Sequence, residues 1–301
     1  MRYQRLDLNL LMALRALLAE RNVTRAGEAV HVSQSAMSGM LARLREYFDD
    51  PLIVPVGRRM ALTPLAEGLA ERINDLMLQL DATLTARPQF DPASSTRQFS
   101  VIASDYVVEV LMVGVLRELH RSAPGLTIEF RPPSAQAGQA LENGEVDLLV
   151  SPVAGRLNQP QATLFEDSFH ALVDRDNAQI GSSLTLEQYL SCQHVSFENS
   201  GRALFESWFT VEHGLPPRVQ VVVNTFAMLP RMVLGTDLVA TMHTRLARQA
   251  AQAMPLRLVR LDFETPRFVE KLYWHSYRDD DPGSRWLRER IVAHAQHLPP
   301  L

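Results

Sequence analysis

Two short helical patterns separated by a three-residue break, over residues 22–48, leave this chain fewer ways to fold than any other segment. Asn22 or Thr24 can cap the first, Thr24–Val30, because either side-chain oxygen can accept a free first-turn N–H. His31-Val32-Ser33 interrupts the pattern, and Ser33 caps a second helix running from Gln34 to about Phe48. Its spacing turns Ala36, Met37, Met40, Leu41 and Leu44 inward, with Arg43 and Arg45 outward. Gly27 supplies a small residue where the two helices must cross. An earlier helix, Leu8–Glu20, brings Leu10, Leu11, Leu14, Leu17 and Leu18 as a stripe wide enough to bury. Downstream, Leu52-Ile53-Val54 and Met60-Ala61-Leu62 flank Gly57-Arg58-Arg59, the pattern of a small β-ribbon or wing. The whole is helix-turn-helix spacing, although a three-helix packing unit with a capped surface helix fits it too.

The residue types at the start of the second helix suit DNA. Gln34, Ser35 and Ser38 are short polar side chains on its exposed leading end; glutamine pairs with adenine in the major groove, and serine bonds base edges or phosphates. Ser33, at a helix N-terminus, suits a phosphate. Thr24, Arg25, Arg43, Arg58 and Arg59 complete the candidate contact set, the last two also being compatible with a solvated turn. The 301-residue chain carries a net charge of −4, but residues 1–62 hold nine Arg against six Asp and Glu. A basic head on an acidic body can bind phosphates, because only the contacting face matters. Of the 30 basic residues only Lys271 is not arginine, which reads as composition bias.

The pattern then changes. Thr63 and Pro64 open a long helix whose Leu65, Leu69, Ile73, Leu76, Leu80 and Leu84 form a narrow seam, as in a coiled-coil partner. Arg87–Arg97, with Pro88 and Pro92, reads as a linker. From Phe99 on, strands alternate with helices, which predicts an α/β fold with largely parallel sheets in two lobes. The strands are predicted at Phe99–Ala103, Thr127–Phe130, Val146–Ser151, His170–Asp174, His194–Phe197, Val219–Val223, Leu238–Thr241, Leu256–Phe263 and Lys271–Tyr277. Apolar residues make up 46% and charged ones 21%, as in a folded protein rather than a disordered one. The one cysteine, Cys192, rules out an intrachain disulfide and fits a reducing cytoplasm. The longest near-apolar run, Val107–Leu116, contains Glu109 and is too short to span a bilayer. Arg5, Asp7 and Arg15 among the first leucines argue against a secretory signal, so no membrane is expected.

Leu8-Asn9-Leu10-Leu11, the run Val23–Ser38 and Leu62-Thr63-Pro64 resemble the DNA-binding head of the family of LysR-type transcriptional regulators. Leu141–Asp147, Trp274-His275, Asp281-Pro282 and Trp286-Leu287-Arg288 resemble its later motifs. Asp49-Asp50-Pro51-Leu52 and Phe90-Asp91-Pro92 look like the branch that contains regulators of nodulation and of naphthalene catabolism. The resemblance implies an N-terminal winged helix-turn-helix domain (1–62), a dimerising linker helix (63–87), a hinge (88–98) and an effector domain (99–301). That domain would be a two-lobed α/β, periplasmic-binding-protein-like body, with one lobe from about 99–165 and 266–301 and the other from about 166–265. It also implies double-stranded promoter DNA, a small-molecule effector, a homodimer or homotetramer and RNA polymerase as partners, and no cofactor. Gly39 and Pro55 depart from the family pattern, where a longer polar or basic residue and an arginine are common.

Ligands of hinged α/β lobes sit where strands end and helices begin. Ser104 matches a pocket-lining position in similar regulators; neighbouring Asp105 reads as a helix cap. Ser151, Phe197, Thr225, Phe226 and Met242 (with His243) lie at strand-to-loop junctions and are the remaining candidate effector contacts. Their types, with the branch resemblance, point to an aromatic acid or a phenol. Trp274 and Trp286 read as packing residues. His294 and His297 have no third ligand nearby, so no metal is expected. No nucleophile elbow, phosphate-binding loop, dinucleotide fingerprint or His-Glu-x-x-His motif recommends catalysis. An activator is the expected role; a repressor, a solute-binding module without DNA, or an α/β enzyme are the alternatives.

Overall fold

The computed structural model describes residues 7–57, 59–85, 90–152, 157–198 and 204–301. The chain forms two units, Met1–Arg87 and Pro88–Leu301, each with its own core.

In the first unit, α1 (Leu8–Glu20) is capped by Asp7, which accepts the Leu10 N–H at 2.9 Å. α2 (Val23–Ala29) takes Asn22 rather than Thr24 as its cap: the Asn22 side chain accepts from both Thr24 and Arg25. α3 (Gln34–Phe48) follows Ser33, then β1 (Ile53–Val56) pairs antiparallel with β2 (Arg59–Leu62) as the wing. Leu10, Leu14, Leu17, Met37, Leu44, Leu52 and Ile53 fill the core. Ala36, expected inward, is exposed; the packed face of α3 is Met37, Leu41 and Leu44 with Met40 at its margin. α4 (Pro64–Thr85) starts where Thr63 accepts the Ala66 N–H at 3.2 Å and donates to Asp50 at 2.6 Å. Its leucines do not form one seam. Leu69, Ile73 and Leu80 pack with Ala66 and Met77 on the unit's own core, whereas Leu65 (41% exposed) and Leu76 (47%) face outward. The Leu84 side chain lies outside the described set.

The second unit runs β3 (Gln98–Ile102), α5 (Asp105–Val107), a π-turn over Val108–Met112, α6 (Val113–Ser122), β4 (Thr127–Arg131), α7 (Ala137–Glu142), β5 (Leu148–Ser151) and β6 (Gln161–Asp167). It continues through β7 (Phe169–Asp174), β8 (Ser183–Leu184), α8 (Leu186–Ser191), β9 (Gln193–Phe197), α9 (Leu204–His213), β10 (Arg218–Val223), a 3₁₀ turn over Phe226–Met228 and α10 (Leu229–Val233). β11 (Val239–His243), α11 (Thr244–Ala253), β12 (Leu256–Leu261), β13 (Phe268–Tyr273) and α12 (Pro282–Gln296) complete it. Among the described residues the strands form a five-stranded sheet ordered β4-β3-β5-β13-β6 and a six-stranded sheet ordered β10-β9-β11-β7-β12-β8. The chain passes from the first sheet to the second between β6 and β7, and returns between β12 and β13.

That double crossing corrects the expectation of largely parallel sheets. β3 pairs parallel with β4 and β5, and β9 with β10 and β11, but β13 runs antiparallel to β5 and β6, and β7 to β11 and β12. A strand that has just changed lobes enters its sheet against the local direction. The strand expected at Lys271–Tyr277 sits three residues earlier, and His275 instead caps a 3₁₀ turn by accepting the Tyr277 N–H at 3.2 Å. β6 was not expected; its inward residues do not alternate, and its pairing with β13 shifts register at Glu270/Lys271.

The segment before β3 is packed. Phe90 lies on Trp286, ring centroids 5.5 Å apart, and Arg97 makes a two-pronged pair with Asp281 at 2.7 and 2.6 Å. Asp281 also caps α12 through the Gly283 and Ser284 N–H groups. The Arg97 guanidinium and these backbone donors overcome partial burial and hold Asp281 down at about 2.

Candidate DNA interface and effector slot

The exposed leading end of α3 is positioned by a turn. Val32 donates to the Gly27 carbonyl at 2.9 Å, and His31 takes the left-handed conformation at φ 58°. A Cβ on Gly27 would stand 3.0 Å from the Val32 oxygen, so the close crossing requires glycine or a small local shift. Ser33 then accepts the Ala36 N–H at 3.2 Å and pairs with the Ser35 hydroxyl at 2.9 Å. Met37, fully buried, pins the helix from beneath. Thr24, Arg25, Ser33, Gln34, Ser35, Ser38 and Arg43 are all exposed, and so is Arg59 on the wing. Arg58 lies outside the described residues. Two of the arginines have protein partners: Arg25 pairs with Glu20 at 2.9 Å and Arg43 with Asp7 at 3.3 Å. Such exposed pairs are worth little. Gly39 adds nothing to the face, and no atom lies within 4 Å of where its Cβ would be.

In the second unit the candidate effector residues scatter. Ser104 caps α5 through the Val107 N–H at 3.3 Å. Asp105, expected as that cap, instead accepts the Ala227 N–H at 2.8 Å, tying the first sheet's end to the 3₁₀ turn beside the second. Ser151 and Thr225 are half-buried. Met242 is fully buried in the main core; strand alternation turns it away from its neighbours Thr241 and His243. Phe197 and Phe226 do come together, stacked with centroids 3.7 Å apart.

That stack closes a slot of about 10 Å³ lined by Phe169, Phe197, Phe205, Glu206, Phe226, Thr241 and His243. It has room for no more than about one water, against the roughly 300–1,000 Å³ of ordinary ligand pockets, so a ligand must part its walls. His243 stacks on Tyr106 at 3.9 Å and touches Phe226, Phe169 and Phe268. Burial pushes His243 down to about 3, which keeps it neutral at physiological pH. Its Nδ1 is buried without a hydrogen-bond partner among the described residues. Burial also raises Glu206, against the opposing effect of the Ser196 hydroxyl that donates to it at 2.5 Å. Thr241 pairs with the buried Tyr189 hydroxyl at 2.7 Å. Sequence reasoning missed Phe169, Phe205, Glu206 and Thr241. Glu206 looks like any solvated carboxylate of an amphipathic helix, and nothing in the local pattern signals that its helix faces the slot.

A helix-turn-helix head with a wing, followed by an α/β body of two mixed sheets, defines a class of DNA-binding proteins with a ligand-sensing domain. Residues 8–67 match the bacterial regulatory helix-turn-helix protein, lysR family, and residues 92–296 the LysR substrate binding domain. Nodulation protein D 2 of Rhizobium tropici is 39% identical over 297 residues, covering 98% of this chain and 95% of that protein. Nodulation protein D 1 of Bradyrhizobium sp. (strain NC92) is 40% identical over 302 residues, covering 99% and 96%. The crystal structure of the probable transcriptional regulator PA0477 from Pseudomonas aeruginosa is similar with a TM-score of 0.65 at 28% identity, covering 97% of this chain and 98% of that one. The chain belongs to the LysR family. It is a transcriptional regulator with an effector-binding domain, of a family that binds promoter DNA and small molecules and forms oligomers.

Proposed function

We propose that the chain is an activator that reads its promoter through the leading end of α3 and is switched by a neutral hydroxyaromatic effector. Gln34, Ser35 and Ser38 read base edges. Ser33, Thr24, Arg25, Arg43, Arg58 and Arg59 hold phosphates. A homodimer, joined through the exposed Leu65 and Leu76 of α4, sets two such helices about 34–36 Å apart on neighbouring half-sites. RNA polymerase is the downstream partner and the cytoplasm the location; no helix among the described residues is long and apolar enough to cross a membrane. The relatives are transcriptional regulators, which favours a regulator over an enzyme.

The composition of the slot carries the effector reading. Its phenylalanine walls suit a flat ring, and its polar atoms are the Glu206 carboxyl, the Thr241 hydroxyl and a neutral His243. No cation stands among its lining residues to compensate a ligand carboxylate, whose desolvation would go unmatched. A phenolic hydroxyl, by contrast, finds acceptors. Calorimetric titration of the full chain with flavonoids and with benzoate-type acids tests this. Heat from the phenols alone is expected, with roughly tenfold weaker binding in Glu206→Leu, the worth of about one net hydrogen bond. Binding by the acids and not by the phenols overturns it.

A further inference from the structure

Where the chain leaves the first sheet for the second, it buries acidic groups. Asp167 ends β6, one residue before the crossover Ser168, and is completely buried. Its Oδ2 accepts from the Tyr106 hydroxyl at 2.5 Å and the Arg245 backbone N–H at 3.4 Å, and its Oδ1 from the Ser168 N–H at 2.7 Å. Tyr106 belongs to the first lobe and Arg245, on α11, to the second. One carboxylate thus ties together both lobes and the passage between them.

A second carboxyl shares that face. β13 pairs with β6 so that Phe268 opposes Asp167 and Glu270 opposes Phe165, which turns Glu270 to the same side as Asp167. Glu270 is 2% exposed, and its Oε2 has no hydrogen-bond partner among the described residues. The ionisable groups around the pair do little to neutralise it. Tyr106, from α5, spends its proton on Asp167, and His243, from β11, is neutral. Tyr273 follows on β13 itself, where burial first and then Glu270 raise its hydroxyl. The Arg245 guanidinium lies over the Phe165 ring and donates to the carbonyls of Glu166 and Pro299. Two carboxylates in so dry a place cannot both ionise cheaply. Burial first, then the neighbouring Asp167, push Glu270 up to about 8.

We propose that Asp167 and Glu270 form a proton-operated clasp at the lobe crossover. With a proton on Glu270, the Tyr106–Asp167–Arg245 tie holds the lobes together. Loss of that proton sets a second buried negative charge beside Asp167, loosens the tie and lets the lobes part. Tyr106 stacks on His243, so the loosening reaches the wall of the slot. The sign follows from linkage. A carboxyl whose closed-state value is raised favours the closed form most at low pH, and that preference is lost progressively as pH rises from the ordinary 4.5 to about 8, with no further loss above it.

Amide hydrogen exchange on the full chain, across a pH series through about 8, tests the clasp at the Ser168 and Arg245 N–H groups. After correction for base-catalysed exchange, wild-type protection there should fall by up to about tenfold for each pH unit between the ordinary carboxyl value of 4.5 and about 8 and level off above it, while Glu270→Gln stays flat. Independently, wild-type protein should show a buried protonated-carboxyl band in the infrared at neutral pH that disappears as pH rises through about 8. Should Glu270→Gln fail to fold, the wild-type band and protection profile decide together. Wild-type protection that is flat between pH 4.5 and about 8, a variant that follows the wild type, or no protonated-carboxyl band at neutral pH overturns the proposal.

Discussion

The two units solve the problem of presenting polar groups in opposite ways. The head lays short polar side chains on the outside of one helix, held by a local turn, a serine cap and one buried methionine, so its surface is formed before anything binds. The effector unit draws Glu206, Thr241 and His243 from α9 and β11 into an aromatic slot that is nearly full. If DNA is read by that surface as proposed, recognition there costs little rearrangement, whereas a ligand enters the slot only if its walls move. A rigid reader coupled to a closed sensor is what a ligand-controlled switch needs, because a ligand shifts a conformational equilibrium only by its different affinity for two arrangements.

The sharpest break of this contrast lies on α4. Ile73→Asp puts a charge into the head's core and should destabilise that unit by on the order of 4 kcal/mol, seen as loss of its thermal transition. Leu76→Asp, on the exposed side, should leave the fold intact and separate dimers in ultracentrifugation. A Leu76→Asp protein that stays dimeric places the interface elsewhere.

Asp281→Ala tests the other unit. It removes the α12 cap and the two-pronged partner of Arg97, and should cost the effector unit roughly 2 kcal/mol while leaving the head's melting unchanged. Because the folded-state value is depressed to about 2, the wild-type stabilisation is complete above the ordinary 3.8 and lost as pH falls between the two. Acid titration of unfolding should show that step in the wild type only. Gln34→Ala is expected to cost roughly 1–3 kcal/mol at a cognate site and to relax base preference, measured by competition binding. Equal loss on random DNA would reduce Gln34 to a phosphate contact.

The smallest effect compares two glycines of the head. Gly39→Ala meets nothing and should stabilise the unit by about 0.5–1 kcal/mol in thermal unfolding. Gly27→Ala should gain less, since its methyl presses on the Val32 carbonyl.

Much of the head was legible because its determinants are local. Ser33, the 3.6-residue spacing of Met37, Leu41 and Leu44, and the break at His31 act within a few residues of one another, and α3 runs from Gln34 to Phe48 as that pattern predicts. The seam of α4 misled for the opposite reason. Leucine spacing tells that a helix buries a stripe, but not whether Ile73 meets α1 of its own chain or a second helix.

The sequence alone determined the helices of the head, the caps at Ser33 and Thr63, and the α/β character of the body, because hydrophobic period and capping chemistry are written in neighbouring residues. Only the tertiary structure decided that β13 and β7 run against their neighbours, that Met242 points into the core while His243 lines the slot, and that Asp167 and Glu270 share a buried face. Those facts depend on which distant strands pair and in what register, and a single residue's shift in register would turn every one of these side chains the other way.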